Sequence, residues 1–280
     1  MHCSPSVVLT QPWPRVQGIA ERLQRGGWDP IILASSALET EPYRDEVTAV
    51  RRALFAASLA DPCWDLVVFV SPGAVSAFCA ADDLAGWPAQ IAVAAVGPGT
   101  AEALAHAGLP AGVDCRLPTE TADGRFDAAA LLATLSHAPI AAKRILVVAG
   151  AATRTDWVAE IGQRLGAEAA AQLRLLTAYR SSVRRPEAHA VAGLQSLCER
   201  RLPWAGVVTL AASAESLVAL MANRPPQDQA WMRAQPILTI HPRLERALAE
   251  LGFQSIQRIG PGAAALEAAL SSVKLKWLES

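Results

Sequence analysis

Short apolar runs alternate with stretches of helical spacing along most of the chain. Val7–Thr10 is apolar and β-branched and stops at Gln11-Pro12, which predicts a strand running into a turn. Val16–Arg25 carries Ile19 and Leu23 at helical spacing before the stop at Gly26-Gly27, and Pro30–Leu33 reads as a second strand. Leu66–Val70 and Ile91–Val96 are compact apolar runs of the kind buried on both faces of a sheet. Ser71-Pro72-Gly73 breaks the first and Ala74–Ala81 follows as a helix. Gly97-Pro98-Gly99 breaks the second, and the helix Thr100–Ala107 closes at Gly108. Ile145–Ala149 predicts another strand, followed by Gly150 and a helix over Asp156–Leu165 that stops at Gly166.

The later part repeats the scheme. Val207–Leu210 is a strand, Ala212-Ser213-Ala214 a turn and Glu215–Met221 a helix. Ile237–Ile240 is a strand, His241-Pro242-Arg243 a turn and Leu244–Leu251 a helix ended by Gly252. Pro118–Asp127 and Pro225–Asp228 read as exposed loops, and Ser271–Ser280 as a helix end or surface tail. The stretch from Val96 and the stretch from Ile240 align with Pro98 on Pro242 and Gly108 on Gly252, while Ser71 and Ser213 lie at nearly the same distance upstream. Several matches in register predict duplicated domains. Trp64 and Trp204 each precede a repeat strand, which reads as packing. The alternation of strands and helices predicts an α/β chain of two similar doubly wound parallel sheets.

Composition narrows the function more than the fold. The chain has 280 residues, enough for two domains, and is 52% hydrophobic and 18% charged, which argues against pervasive disorder. With 25 basic and 26 acidic side chains, the net charge of -1 argues against a general nucleic-acid binder. Local arginines and helix N-termini can still hold an anionic small molecule. The five cysteines form no CxxC, and the histidines show no ligand spacing, so neither a disulfide framework, a zinc site nor metal catalysis is expected. The N-terminus Met1-His2-Cys3 lacks the charged and apolar regions of a signal peptide, and no apolar run reaches membrane-spanning length. Cytoplasmic localisation is the default expectation.

Ser71 and Ser213 end apolar strands where open α/β sheets place ligand contacts, yet each alone reads as a helix N-cap; their pairing favours a polar cleft. Gly97-Pro98-Gly99-Thr100 has Glu102 where a dinucleotide fingerprint needs glycine, and no P-loop lysine. Alone it reads as a tight turn with Thr100 capping the helix; in a cleft its N–H groups hold an anion. His241 is the one histidine in a strand–helix turn. Tyr179 ends the segment crossing between the halves; a phenol is protonated at neutral pH and can donate a proton, and the competing reading is an interfacial aromatic.

These residues together resemble the uroporphyrinogen-III synthase family. The resemblance runs through Val8-Leu9-Thr10-Gln11-Pro12, then Asp65–Val75 with Phe69 and Ser71, then Val96–Leu104. It continues in Ile145–Gly150 with Arg154, in Gly166-Ala167 and Tyr179-Arg180, and in Ser213, His241-Pro242-Arg243 and Gly252-Phe253. It implies two domains joined by two connecting strands. One is discontinuous, 1–37 plus 180–280; the other, 38–179, is inserted. It also implies an active site in the cleft between them, no metal or organic cofactor, and no nucleic-acid or membrane partner. The implied protein is a monomer, with room for transient contact with the preceding pathway enzyme.

The substrate implied is hydroxymethylbilane, a linear tetrapyrrole. It is cyclised to uroporphyrinogen III with inversion of ring D and loss of water. Tyr179 would assist departure of the hydroxyl. Thr10, Gln11, Ser71, Gly97, Thr100, Arg154, Ser213 and His241 would line the substrate site. Gln11 stands where the family usually has arginine, and Ala149-Gly150-Ala151-Ala152 is plainer than the family's turn. Two other readings stay open: a weak or inactive relative that binds a tetrapyrrole or another polycarboxylate, and a hinge-type two-domain solute-binding protein.

Overall fold

The structure, a computed structural model, describes residues 4–13, 15–56, 63–79, 83–118, 128–137, 143–166, 172–260 and 262–279. The expectations at Met1-His2-Cys3, at Ala80-Ala81, over 119–127 of the first loop, at Ala167 and at Ser280 fall outside these. Two compact units emerge: Met1–Ala37 with Ser182–Ser280, and Leu38–Ser181. The return falls after Ser181 because the strand carrying Tyr179 runs unbroken to Val183.

The discontinuous unit begins with β1 (Ser6–Leu9), α1 (Arg15–Arg25) and β2 (Asp29–Ile32). β3 (Ser36–Glu39) leads into the inserted unit. There follow a 3-10 turn at Glu41–Tyr43, α2 (Arg44–Ala56), β4 (Leu66–Phe69), α3 (Pro72–Phe78), β5 (Ala92–Ala95) and α4 (Pro98–His106). Next come β6 (Cys115–Arg116), α5 (Ala128–His137), β7 (Ile145–Gly150), α6 (Thr155–Leu165) and β8 (Leu173–Val183). The chain then completes the first unit with α7 (Ala188–Glu199), β9 (Trp204–Val207), α8 (Ala211–Met221), α9 (Pro226–Arg233), β10 (Pro236–Thr239), α10 (Pro242–Glu250), β11 (Ser255–Arg258) and α11 (Ala263–Glu279). Among the described residues no helix is long and apolar enough to cross a membrane.

The first sheet is ordered β11-β10-β9-β1-β2, and every pair in it is parallel. The second is ordered β3-β8-β7-β4-β5-β6, with parallel pairs from β8 to β6. Counted along the chain, the first sheet has the 2-1-3-4-5 order of doubly wound folds. The second has the same order in space from β8 to β6, but its chain enters at the third strand. The inserted unit is thus a circular permutation of the other. β4-α3-β5-α4-β6 corresponds to β9-α8-β10-α10-β11, and β7-α6-β8 to β1-α1-β2.

Both faces of each sheet are covered, which explains the unbroken apolar runs. In the inserted unit Val67, Phe69, Val93, Leu146 and Val148 pack toward α2, α3 and α4, while Leu66, Val68, Ala94, Ile145 and Val147 pack toward α5 and α6. The other unit divides Val8, Trp204 and Ile237 from Val7, Leu9, Ala205, Val207 and Leu238 in the same way. Side chains alternate faces along a strand, so two cores read as one hydrophobic run. Alanine, expected mainly in helices, fills most of β5 because a small side chain suits a strand pressed between two helical layers.

The repeat marked by proline and glycine holds in detail. Pro98 and Pro242 each open a helix. Gly108 and Gly252 each take a positive φ, 85° and 86°. Leu109 N donates to Leu104 O and Phe253 N to Leu248 O, both at 3.1 Å, so the two helices end in the same capping motif.

Four local expectations are corrected. β9 is Trp204–Val207, because its register with β1 pairs Ser6 with Trp204 and Leu9 with Val207. Trp204 is therefore inside the strand, whereas Trp64 precedes β4. Pro225–Asp228 opens α9: Pro226 sits where a missing N–H costs nothing, and Asp228 lies in the positive first turn. Ser213 lies within α8, whose N-cap is Leu210, so the residue equivalent to Ser71 is Leu210. Thr100 lies inside α4 and does not cap it; Gly97 is the cap residue.

Asp65 clamps the two central strands of the inserted unit. Its Oδ2 accepts from Lys143 N at 2.9 Å and Arg144 N at 2.8 Å, just ahead of β7. Burial alone would raise this carboxyl; the two backbone N–H groups and the Arg144 guanidinium outweigh it and hold the pKa below the ordinary value. A depressed carboxylate contributes stability above its unfolded pKa and loses it as pH falls through the folded one. Asp65→Asn should therefore cost about 1 kcal/mol at neutral pH, discounted for the remaining solvent access. In urea titrations across pH the gap to wild type should narrow as pH falls through and below the ordinary carboxylate range; a gap constant with pH would remove the carboxylate as the cause.

Candidate active site

Open doubly wound sheets bind ligands at the C-terminal edge, where the chain winds off in both directions. In the inserted unit that point lies between β4 and β7. β4 runs through Val70 to Ser71, whose side chain accepts from Ala74 N at 3.1 Å and caps α3. Tyr179, half-buried on β8, places its hydroxyl 3.0 Å from Ser71 Oγ. Either hydroxyl can donate in this contact; in one arrangement Ser71 Oγ accepts from Ala74 N and gives its own proton to the phenol oxygen. The phenol proton is then available to a ligand.

The α4 N-terminus lies beside this pair. Gly97 is its N-cap in ordinary extended backbone, Thr100 is buried, and the Gly99 Cα–H direction faces Pro72 of α3. Arg154 follows β7 as the N-cap of α6 and pairs with Asp156 two residues on, fully exposed. The sequence put Ser71 at a strand end, Gly97 and Thr100 in a strand–helix turn and Tyr179 on the crossing segment, with Arg154 added by the family resemblance. The structure brings Ser71 and Tyr179 into contact and leaves Arg154 engaged with its own helix turn.

The corresponding point in the other unit lies between β1 and β9, and it is stitched closed. Thr10 Oγ1 donates to Val207 O at 3.0 Å across the two strands. Ser213 Oγ donates to Thr10 O at 3.1 Å and lies 3.2 Å from Ser35 Oγ. Thr10 and Ser213 are both buried, so these hydroxyls serve the fold. Ser35 was not singled out in the sequence; its position just beyond β2 is the signal that could have found it. Gln11 is buried, and its Oε1 has no hydrogen-bond partner among the described residues. His241 caps α10, its Nδ1 accepting from Arg243 N at 3.1 Å.

The two units also differ in charge. The discontinuous one carries 14 basic and 10 acidic residues, a net +4; the inserted one carries 11 and 16, a net -5. The near-neutral total hides one basic and one acidic body.

The chain resembles solved structures of uroporphyrinogen III synthase from the extremely thermophilic bacterium Thermus thermophilus. A mutant form is 18% identical, with 96% of this chain and 99% of that one covered and a TM-score of 0.44. The wild-type form is 18% identical, with 97% and 99% covered and a TM-score of 0.38. No curated protein matches the chain. The profile of the uroporphyrinogen-III synthase HemD family matches residues 17–265. With most of its length inside that match, the chain belongs to the uroporphyrinogen-III synthase family.

Proposed function

We propose that this protein closes hydroxymethylbilane to uroporphyrinogen III, with inversion of ring D and loss of water. The observation that carries the reading is the Ser71–Tyr179 pair at the ligand-binding edge of the inserted unit. Family membership supports the reaction class.

In this reading the phenol proton of Tyr179 passes to the substrate hydroxyl. The C–O bond breaks with its electron pair on oxygen, and water leaves. The adjacent pyrrole nitrogen supplies electrons, giving an electrophilic azafulvenium cation that keeps its N–H proton. The substituted carbon of ring D attacks the freed methylene carbon to form a spiro intermediate. Fragmentation and reclosure invert ring D, and the proton lost on rearomatisation restores the phenol. No oxidant or reductant is required.

Unassisted closure gives the uninverted isomer, so orientation is the larger part of the task. N–H groups at the starts of α4 and α10 suit substrate carboxylates. The basic discontinuous unit is the natural body to attract such a polyanion.

Purified protein should convert hydroxymethylbilane mainly to isomer III, separated from isomer I by chromatography after oxidation to the porphyrin. Isomer I alone, at the spontaneous rate, would sink the assignment. A second reading has one observation behind it: Gln11, where the family usually has arginine, brings no charge to β1. Tight product binding without turnover would establish that binder.

A further inference from the structure

Two glycines beside the phenol are unusual in why they are glycine. The glycines with left-handed backbone are Gly27, Gly108, Gly166, Gly252 and Gly262 among the described residues; Gly73 and Gly150 are not among them. Alanine fits the backbone at both positions. What it would not fit is the space. A methyl group on Gly150 would lie 2.7 Å from Tyr179 Cζ and 3.0 Å from both Cε2 and the hydroxyl. A methyl on Gly73 would lie 3.1 Å from Tyr179 Cζ, 3.2 Å from its hydroxyl and 3.1 Å from Leu38 Cδ1. Carbon atoms prefer about 3.5–4.0 Å, so the phenol end rests where side chains would otherwise be.

The strand is shaped to the same end. The β7–β8 ladder pairs Ala149 with Thr177 but Gly150 with Tyr179, leaving Ala178 as an extra residue. A bulge of this kind re-aims the side chain that follows it. Ala151 N donates to Tyr179 O at 2.8 Å and holds the bulged strand in place.

We propose that Gly73 and Gly150 are positioning residues: together they form a seat that holds the Tyr179 phenol against Ser71. The inference rests on the reading of Tyr179 as the proton donor in ring closure. The glycines act through the tyrosine and touch no substrate. In Gly150→Ala the obstacle is the far end of one rigid ring, so the ring must swing away and the 3.0 Å contact with Ser71 must break.

The chain has only two tyrosines, Tyr43 and Tyr179, so labelling the tyrosine ζ-carbons with 13C yields two resolvable NMR signals, assigned by Tyr179→Phe. Gly150→Ala should move the Tyr179 signal and leave that of Tyr43 in place. Gly73→Ala should move it less. Gly112→Ala, whose methyl would meet nothing within 4 Å, should move neither. In turnover, Gly150→Ala should lower kcat about tenfold with KM nearly unchanged, and lower it no further in a Tyr179→Phe background.

An unmoved Tyr179 signal, or the same kcat loss in both backgrounds, overturns the seat. So does a loss of stability in Gly150→Ala that Tyr179→Ala fails to relieve. If wild-type protein shows no turnover, the reaction reading fails, and the NMR signals and the stability rescue decide the seat alone.

Discussion

Tyr179→Phe is expected to lower kcat for hydroxymethylbilane about a hundredfold while leaving KM nearly unchanged. In the proposed reading Ser71 Oγ, which accepts from Ala74 N at 3.1 Å, donates to the phenol oxygen 3.0 Å away and leaves the phenol proton for the departing hydroxyl. A positioned acid contributes about 10² to 10⁴ in rate; the low end applies because orientation supplies much of the acceleration here. Phenylalanine keeps the ring between Gly73 and Gly150, so stability should change by less than about 1 kcal/mol, the worth of one half-buried hydrogen bond. The product should remain isomer III while enzymatic closure outruns the spontaneous route, because the variant removes the proton and not the binding. Full turnover in Tyr179→Phe would take the tyrosine out of the mechanism. Ser71→Ala should cost less in rate and more in stability, about 1 kcal/mol, since it removes the cap of α3 as well as the phenol's partner.

The seat of that phenol shows where sequence reading stops. Tyr179 and Ser71 were both visible, one as a tyrosine at the end of a crossing segment, the other as a serine closing an apolar run. Their contact was not, because it depends on one extra residue at Ala178, and a bulge leaves no mark in an alternating pattern. Gly150 looked like an unremarkable turn glycine; its use is a distance to a ring 29 positions away in the chain.

The repeat was legible at Pro98, Gly108, Pro242 and Gly252, since helix starts and stops have fixed chemistry. It misled at Ser213. A helix N-cap is expected to be polar, and Leu210 is not, while the nearest serine, Ser213, lies three residues further on inside the helix. The permutation was hidden for a different reason: five similar apolar strands look alike whichever one comes first.

Some helices were missed for want of contrast. α5 and α7 are rich in alanine and leucine, so they lack a clear polar face. α2 has the stripe, with Val47, Val50 and Leu54 buried, but Arg51 sits within it and reads as an interruption. That arginine is there for a structural reason, and its removal should be the costliest single change to stability considered for this chain.

Arg51→Met should destabilise the inserted unit by about 3 kcal/mol, a shift of roughly 6–12 °C in the thermal midpoint for a body of this size. Arg51 is buried, and its two terminal nitrogens donate to Phe78 O and Asp83 O, both at 3.0 Å. Phe78 is the last residue of α3, so the guanidinium answers the negative end of that helix while tying it to α2. Its plane also lies over the rings of Phe55 and Phe78, at 5.0 and 5.1 Å. Methionine keeps an apolar stem but strands the buried Phe78 carbonyl, at about 1–3 kcal/mol, gives up the part-buried bond to Asp83 O and loses both ring contacts. Lysine should recover part of the loss, because one ammonium cannot span both carbonyls as a planar fork does.

Cys79 gives an independent readout. Burial pushes its thiol up to about 11, and the nearby Arg51 charge is what restrains the rise. At pH 7 roughly one molecule in ten thousand carries the thiolate, so alkylation in the folded protein should be slow and should quicken toward pH 11. Without the cation the thiol rises further, and native-state alkylation of Arg51→Met in mild alkali should slow even as the unit becomes easier to unfold. Faster alkylation under strongly native conditions would mean that the site opens locally, and a midpoint within about 2 °C of wild type would mean that the two carbonyls find other donors. Either result would move the anchor of α3 away from Arg51.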